Sequence, residues 1–372
     1  MTYYSLHIDS IVVDSHCDTP LRLNDGKSIV HHSNDGHFDL ERMRAGKVTA
    51  SFFAIFTPNT ITPDQATARA LSMIARIYDF VAEHAHIVSM GRYPKDAYEI
   101  RAEDKLAIYL GMENGAPIQK SLALLKLFYR LGIRYMTLTH TGNNEICDSC
   151  AAETPRWNGL SPFGKDVVRV MNELGMMIDV SHISDASFYD VLKYSTAPIV
   201  ATHSCCRELC DVPRNMSNQM IKDLAAANGV IQINFYPAFL DKQYATAFAP
   251  LCEKFDEVEV LWKQDPVKYE PLLNEAKEEM MALKTPSYKK VVDHIDHVVS
   301  LVGSTHVGLG SDFDGIATTP RGLESIADMP VITKELMRRG YSERSIRNIL
   351  GVNFLRAFAA CMKVSYQDKE AE

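Results

Sequence analysis

Seven residues of the kinds that bind metal ions or move protons stand at the ends of apolar runs: His16, Asp18, Glu113, His140, His182, His203 and Asp312. His16 and Asp18 are two apart. In an extended strand, residues i and i+2 point the same way, so one imidazole and one carboxylate can grip a single ion. That donor pair suits zinc or a similar divalent cation. An H-x-D pair alone is a weak sign, since it arises often by chance. Glu113, His182 and His203 at three further run ends strengthen it. Three histidines and two carboxylates suffice for two cations if one carboxylate bridges them. Taken singly, each residue has an ordinary structural reading, capping a helix or satisfying a buried backbone group. That reading does not require all of them to lie on one rim.

The rim follows from the elements that carry them. Strand patterns cover Ile11–Asp18, Val48–Phe56, Lys105–Glu113, Tyr135–His140, Met176–His182, Pro198–His203, Gly229–Tyr236 and His306–Asp312. Several are nearly continuous apolar runs, as strands buried on both faces must be. Helical periodicity covers Pro63–His84, Ile118–Leu131, Pro162–Leu174, Asp185–Tyr194, Ser217–Ala227 and Tyr288–Val302, with Lys334–Arg339 and Glu343–Met362 at the end. Ser161 before Pro162 is a helix N-cap, and glycine follows Leu131 and Leu174 at helix ends. Eight strands alternating with helices predict a closed parallel (β/α)8 TIM barrel, with a doubly wound open sheet as the alternative. In a barrel the strand ends converge at one mouth. The whole chain, 1–372, reads as one such catalytic domain. Ala238–Thr285 interrupts the rhythm before the last strand and reads as a solvated helical excursion on the rim.

With 372 residues, 46% hydrophobic and 23% charged, the chain can bury a large core. The net charge of −8 argues against nucleic acid and against an anionic membrane surface. No basic-then-apolar leader, membrane span or apolar C-terminal tail is evident, so a cytoplasmic enzyme is the expectation. Eight cysteines in a chain of this length are expected to be mostly free thiols. Cys147 and Cys150 form a C-x-x-C pair whose state the sequence leaves open.

Other chemistries fit less well. No nucleophile elbow, dinucleotide fingerprint or phosphate-binding loop is present. Cys205 and Cys206 follow His203, but a thiol beside a metal ligand is commonly incidental. His294 and His297 predict a solvated helix face. His31, His32 and His37 lie in a polar loop and are not expected to reach a substrate, and His84 and His86 read as structural.

With these residues in view, the chain resembles the membrane (renal-type) dipeptidase family, zinc peptidases of the amidohydrolase-like barrel group. The resemblance rests on Val13–Pro20, Gly111–Gly115, Tyr135–His140, Gly159–Gly164, Ile178–His182, Thr202–Ser204, Pro213–Asn215 and Gly308–Gly315, in order over nearly the whole chain. It implies that His16 and Asp18 bind one zinc, that His182 and His203 bind a second, and that Glu113 bridges them. It further implies that His140 and Arg214 bind substrate and that Asp312 transfers a proton. The catalytic group is then Glu113, Asp312 and His140, with two Zn2+ per chain and a homodimer as the family expectation. Ser15 and Cys17 replace the usual Gly and Asn, Asn114 follows the bridging position, and the 238–285 excursion is longer than usual.

The implied reaction is hydrolysis of short dipeptides, including those with a D-residue at the C-terminal position, by a metal-bridging hydroxide. Arg214 would clamp the substrate carboxylate in planar, bidentate fashion. Two alternatives remain at this point: a related barrel hydrolase acting on N-acyl amino acids, lactones or β-lactams, and a metal-holding protein without turnover.

Overall fold

The computed structural model describes residues 1–370, with side chains through Lys363. Nine strands form one parallel sheet: β1 Val13–Cys17, β2 Ala50–Phe56, β3 Val88–Met90, β4 Leu106–Glu113, β5 Ile133–Thr137, β6 Met177–Asp179, β7 Ile199–Ser204, β8 Val230–Ile233 and β9 Val307–Leu309. Eight follow the order β1-β2-β4-β5-β6-β7-β8-β9, with helices in most of the connections. The ring closes between its first and last members. Asp18 N donates to Phe313 O at 2.8 Å, and Asp312 N donates to His16 O at 3.0 Å. The (β/α)8 barrel is therefore the architecture, and its closing bonds lie beside Asp18 and Asp312.

The strands form where the sequence is β-branched, aromatic and apolar on both faces. Val13, Phe52, Tyr109, Tyr135, Met177, Val200 and Val230 come from seven strands yet share one buried cluster, which places them inside the ring. Phe52 stacks on Tyr109 at 4.6 Å, and Phe354 of the C-terminal helix meets it edge-on at 5.1 Å. The intervening residues, such as Phe53, Ile55, Ile108 and Leu110, pack outward with Met73, Ile74 and Ile77 of helix Pro63–Glu83. Helix Pro162–Leu174 begins at Ser161, whose hydroxyl accepts from Gly164 N at 2.8 Å, and ends at Gly175 in the left-handed conformation.

Three features depart from the sequence patterns. β3 was not anticipated: three residues are too short to show a period. It pairs with the first residues of β4, before β5 takes up β4 from Leu110 onward. The final helix is broken. Glu343–Arg347 passes through a π turn, Asn348–Val352, into Asn353–Glu370. A Cβ at Gly351 would come within 2.6 Å of Ile11 O, so the bulge lets helix and β1 backbone nearly touch. The third departure is at the strand ends: β5, β6 and β9 stop short of His140, His182 and Asp312.

Between β8 and β9 the chain makes a short turn of helix, Pro237–Leu240, then two long helices, Lys242–Gln264 and Pro266–Ala282. Asp265 joins them and caps the second through Lys268 N. Lys254 pairs with Glu279 across them at 2.7 Å, so they run antiparallel. Tyr244, Phe248 and Met280 pack on Tyr236 at the barrel mouth. The stretch 275–284 is largely solvated, as its charge suggests.

Candidate metal centre and its surroundings

Sequence alone places the ligand-type residues on strand ends; the structure places several just beyond. β5, β6 and β9 stop at Thr137, Asp179 and Leu309, so His140, His182 and Asp312 sit on the loops that follow. His182 (φ 67°) and Asp312 (φ 62°) both adopt the left-handed conformation, which costs a non-glycine residue and persists only where surrounding bonds hold it. Ser149 is part of that hold: its hydroxyl donates to His140 O at 2.5 Å and approaches His182 O at 3.3 Å. Cys150 N donates to His182 O as well.

All seven residues converge. His16 Nε2 lies 3.5 Å from Asp18 Oδ2, 3.5 Å from Glu113 Oε2 and 3.9 Å from Asp312 Oδ1. The other oxygen, Glu113 Oε1, lies 3.2 Å from His182 Nε2, 3.3 Å from His203 Nε2 and 3.9 Å from His140 Nε2. Glu113 thus offers one oxygen to each half of the cluster. Ligands about 2.1 Å from a tetrahedral zinc stand roughly 3.4 Å apart, close to four of these separations. His16 Nε2 is buried and has no hydrogen-bond partner, a cost that a cation would remove.

Hydrogen bonds fix which ring nitrogens are free. Thr202 Oγ1 donates its one proton to Asp179 Oδ2 at 2.7 Å, so it accepts from His203 Nδ1 at 2.8 Å. That leaves a lone pair on His203 Nε2, facing the cluster. His16 Nδ1 is held by Tyr135 Oη at 2.8 Å. Orienting partners of this kind set the tautomer and basicity of metal-binding imidazoles.

The electrostatics agree. Burial, reinforced by Arg214, holds His182 and His203 well below the usual imidazole range, hence neutral. Burial would push the Glu113 carboxyl up, but the surrounding His16, His182 and His203 hold it well below the usual range. Burial and the adjacent Glu113 raise Asp18 well above it. Buried carboxylates this close call for a positive charge between them. The residues fit a divalent cation site with nitrogen and oxygen donors.

Arg214 packs against the end of β7 that carries His203. Its Nη1 donates to Ser204 Oγ at 2.8 Å and its Nη2 to His203 O at 2.6 Å, while Nε is buried without a partner. His140 stands edge-on to Phe56 at 4.8 Å. Asp312 Oδ2 accepts from Asn234 Nδ2 at 2.8 Å. Gly315 abuts the Asp18 carboxylate so closely that any side chain there would collide with it.

A family model described as membrane dipeptidase, peptidase family M19, matches residues 2–372. The chain belongs to that family. The dipeptidase verJ of Clonostachys rogersoniana is 30% identical over 344 residues, 90% of this chain and 78% of that protein. The probable dipeptidase PvdM of Pseudomonas aeruginosa has a TM-score of 0.85 at 28% identity, covering 97% of this chain and 98% of its own. A metallopeptidase of Rhodobacter sphaeroides, solved with a phosphinate mimic of the dipeptide L-Ala-D-Ala, shares the fold at a TM-score of 0.78 and 24% identity, over 95% of this chain and 100% of that one. The M19 assignment makes the protein a hydrolase of the metallo-dipeptidase class.

Several residues of this M19 chain escaped sequence reading. Asp179, Thr202, Tyr135, Asn234 and Ser149 all brace the site. Only Asp179 gave a signal, an acid within an apolar run. Ser15, a family departure, is buried and donates to Thr202 O and Leu309 O. His294 does not lie on a solvated face. It is fully buried, accepting from Cys206 N at 3.0 Å while its Nε2 bonds Leu240 O at 3.1 Å. His37 does not line the pocket but accepts from Asp314 N, bracing the loop that holds Asp312. Among the described residues, Cys147 and Cys150 are free and take no part in any group able to hold a metal. Burial raises the thiols of Cys205 and Cys206, whose sulfurs point to Asn234 O and His294 O. No described helix is long and apolar enough to cross a membrane.

Proposed function

We propose that this M19 protein is a two-zinc dipeptidase, with His16 and Asp18 holding one cation, His182 and His203 the other, and Glu113 bridging. The observation that carries the reading is the division of Glu113: one oxygen faces His16 and the other faces His182 and His203. When bound, such a cation pair polarises a carbonyl and lowers the pKa of water toward neutrality.

The chain's own groups do the rest. His140 Nε2 faces the cluster and is positioned to donate to the carbonyl oxygen as charge develops there. Burial keeps its imidazole below the usual range, so it is neutral at pH 7. Asp312 spends Oδ2 on Asn234 and keeps Oδ1 toward the cluster, ready to take a proton and deliver it to the leaving amine. Arg214, with its unpartnered Nε–H and the remaining Nη hydrogens, receives the substrate's C-terminal carboxylate. That clamp favours very short peptides. A D-residue at the C-terminal position belongs to the proposal, and the dipeptide mimic bound by the R. sphaeroides protein makes it the first stereochemistry to assay.

Metal analysis of wild type should give two zinc ions per chain with dipeptide turnover. Glu113→Gln should lose bound metal and at least a thousandfold in kcat/KM. A Glu113→Gln protein that keeps both ions and wild-type rates rejects the assignment. Amidating the substrate's C-terminus should abolish most turnover. Equal rates on amidated substrates would favour an acyl-hydrolase acting on other bonds.

A further inference from the structure

Two aromatic rings, Phe239 and Tyr236, line the same cavity as members of the metal-ligand cluster, and Phe239 stands beside Arg214. Arg214 Cζ lies 5.6 Å from the centre of the Phe239 ring. Tyr236 stands edge-on to Phe239, centroids 4.9 Å apart at 89°. Both rings are half-buried, and both line a cavity of about 350 Å³ that Glu113, His182 and Asp312 also line. The helical insertion supports them from outside. Phe248 meets Tyr236 at 6.1 Å and stacks on Tyr244 at 5.1 Å, while the Tyr244 hydroxyl is hydrogen-bonded to Thr318 Oγ1 at 2.9 Å.

A dipeptide with its carboxylate at Arg214 and its scissile carbonyl at the cation cluster has one residue between those points, the C-terminal one. Its side chain then has the rings of that cavity, Phe239 and Tyr236, within reach. We propose that Phe239 and Tyr236 form the side-chain subsite for the C-terminal residue and select apolar side chains there. A charged side chain placed against the rings would lose its hydration: with Arg214 already paired to the C-terminal carboxylate, an acidic one finds no free cation there, and a basic one faces like charge. The inference rests on the dipeptidase reading and adds the substrate class.

The test is kcat/KM on Ala-Leu, Ala-Phe, Ala-Gly, Ala-Lys and Ala-Asp with zinc-loaded enzyme. Wild type should prefer Ala-Leu and Ala-Phe over Ala-Gly by about tenfold or more, since even one methylene in an apolar pocket is worth about that factor. Ala-Asp and Ala-Lys should rank last. Phe239→Ala should draw the Leu:Gly ratio toward one, and Phe239→Leu should restore it. Wild type that cleaves Ala-Asp as well as Ala-Leu overturns the subsite without any variant. So does a Phe239→Ala protein that slows on all five substrates with the ratio intact, because the ring then merely supports Arg214. In both cases Ala-Gly is still cleaved. Wild type that cleaves none of the five removes the dipeptidase reading itself, and the subsite with it.

Discussion

At the scale of single residues, the site depends on groups that never touch a cation. Thr202 fixes the tautomer of His203 and is itself oriented by Asp179, which also accepts from Thr137 at 2.5 Å. Thr202→Val keeps the shape and removes the acceptor for His203 Nδ1–H. Metal affinity should fall about 10- to 100-fold, the usual cost of losing an orienting partner; equilibrium dialysis would measure it, and unchanged affinity would refute the tautomer argument. His294 gives a pH prediction. Burial lowers its pKa from 6.5 to about 4. The unfolded chain therefore binds this proton more readily than the folded one. Stability is complete above about pH 6.5 and declines as pH falls toward 4. A shift of that size corresponds to roughly 3 kcal/mol. Urea titrations of wild type and His294→Gln should diverge in slope against pH between those values. Parallel curves would show that His294 is not the group responsible.

At the scale of elements, the loops after β5 and β6 carry His140 and the left-handed His182, and Ser149 ties them together. Its hydroxyl joins the carbonyls of His140 and His182, and an isolated bridge pairs Ser149 with Ile183. Ser149→Ala should raise KM and weaken zinc binding while leaving the thermal transition within a few degrees, since one neutral hydrogen bond contributes only about 1 kcal/mol net. A variant with unaltered KM and metal content would deny the loop its bracing role. At Gly351 the final helix comes close to the backbone that leads into β1. A methyl group there must push against the Ile11 carbonyl, so Gly351→Ala should destabilise by about 1–3 kcal/mol, as overpacking commonly does. Calorimetric melting would test this, and a neutral or stabilising result would contradict the close packing.

At the scale of the whole molecule, folding and metal binding are linked. The cluster brings together residues from position 16 to position 312, so no unfolded chain can hold them in place. Any cation that binds only the folded form stabilises it, by about 2.7 kcal/mol when its concentration is 100 times its Kd. Chelation should therefore lower the melting temperature of wild type, and Glu113→Gln should melt at one temperature with or without chelator. Wild type indifferent to chelator would break the link. The barrel interior supports the site from below: Phe52, Tyr109 and Tyr135 stack in the ring, and Tyr135 reaches His16.

The sequence by itself determined the barrel, its eight ring strands and the identities of the converging residues, because apolar periodicity and ligand chemistry are local properties. It also announced a helical excursion before the last strand from charge and length. Only the tertiary structure decided which ring nitrogens are free, how the two oxygens of Glu113 are divided, and that His294 is buried rather than solvated. It also set Phe239 beside Arg214 and, with Tyr236, on the cavity that Glu113, His182 and Asp312 line. Most of these are relations between groups on different elements, some of them hundreds of positions apart, such as Ser15 Oγ with Leu309 O or His37 Nδ1 with Asp314 N. No spacing along one strand or helix encodes them, since they exist only once the ring has closed.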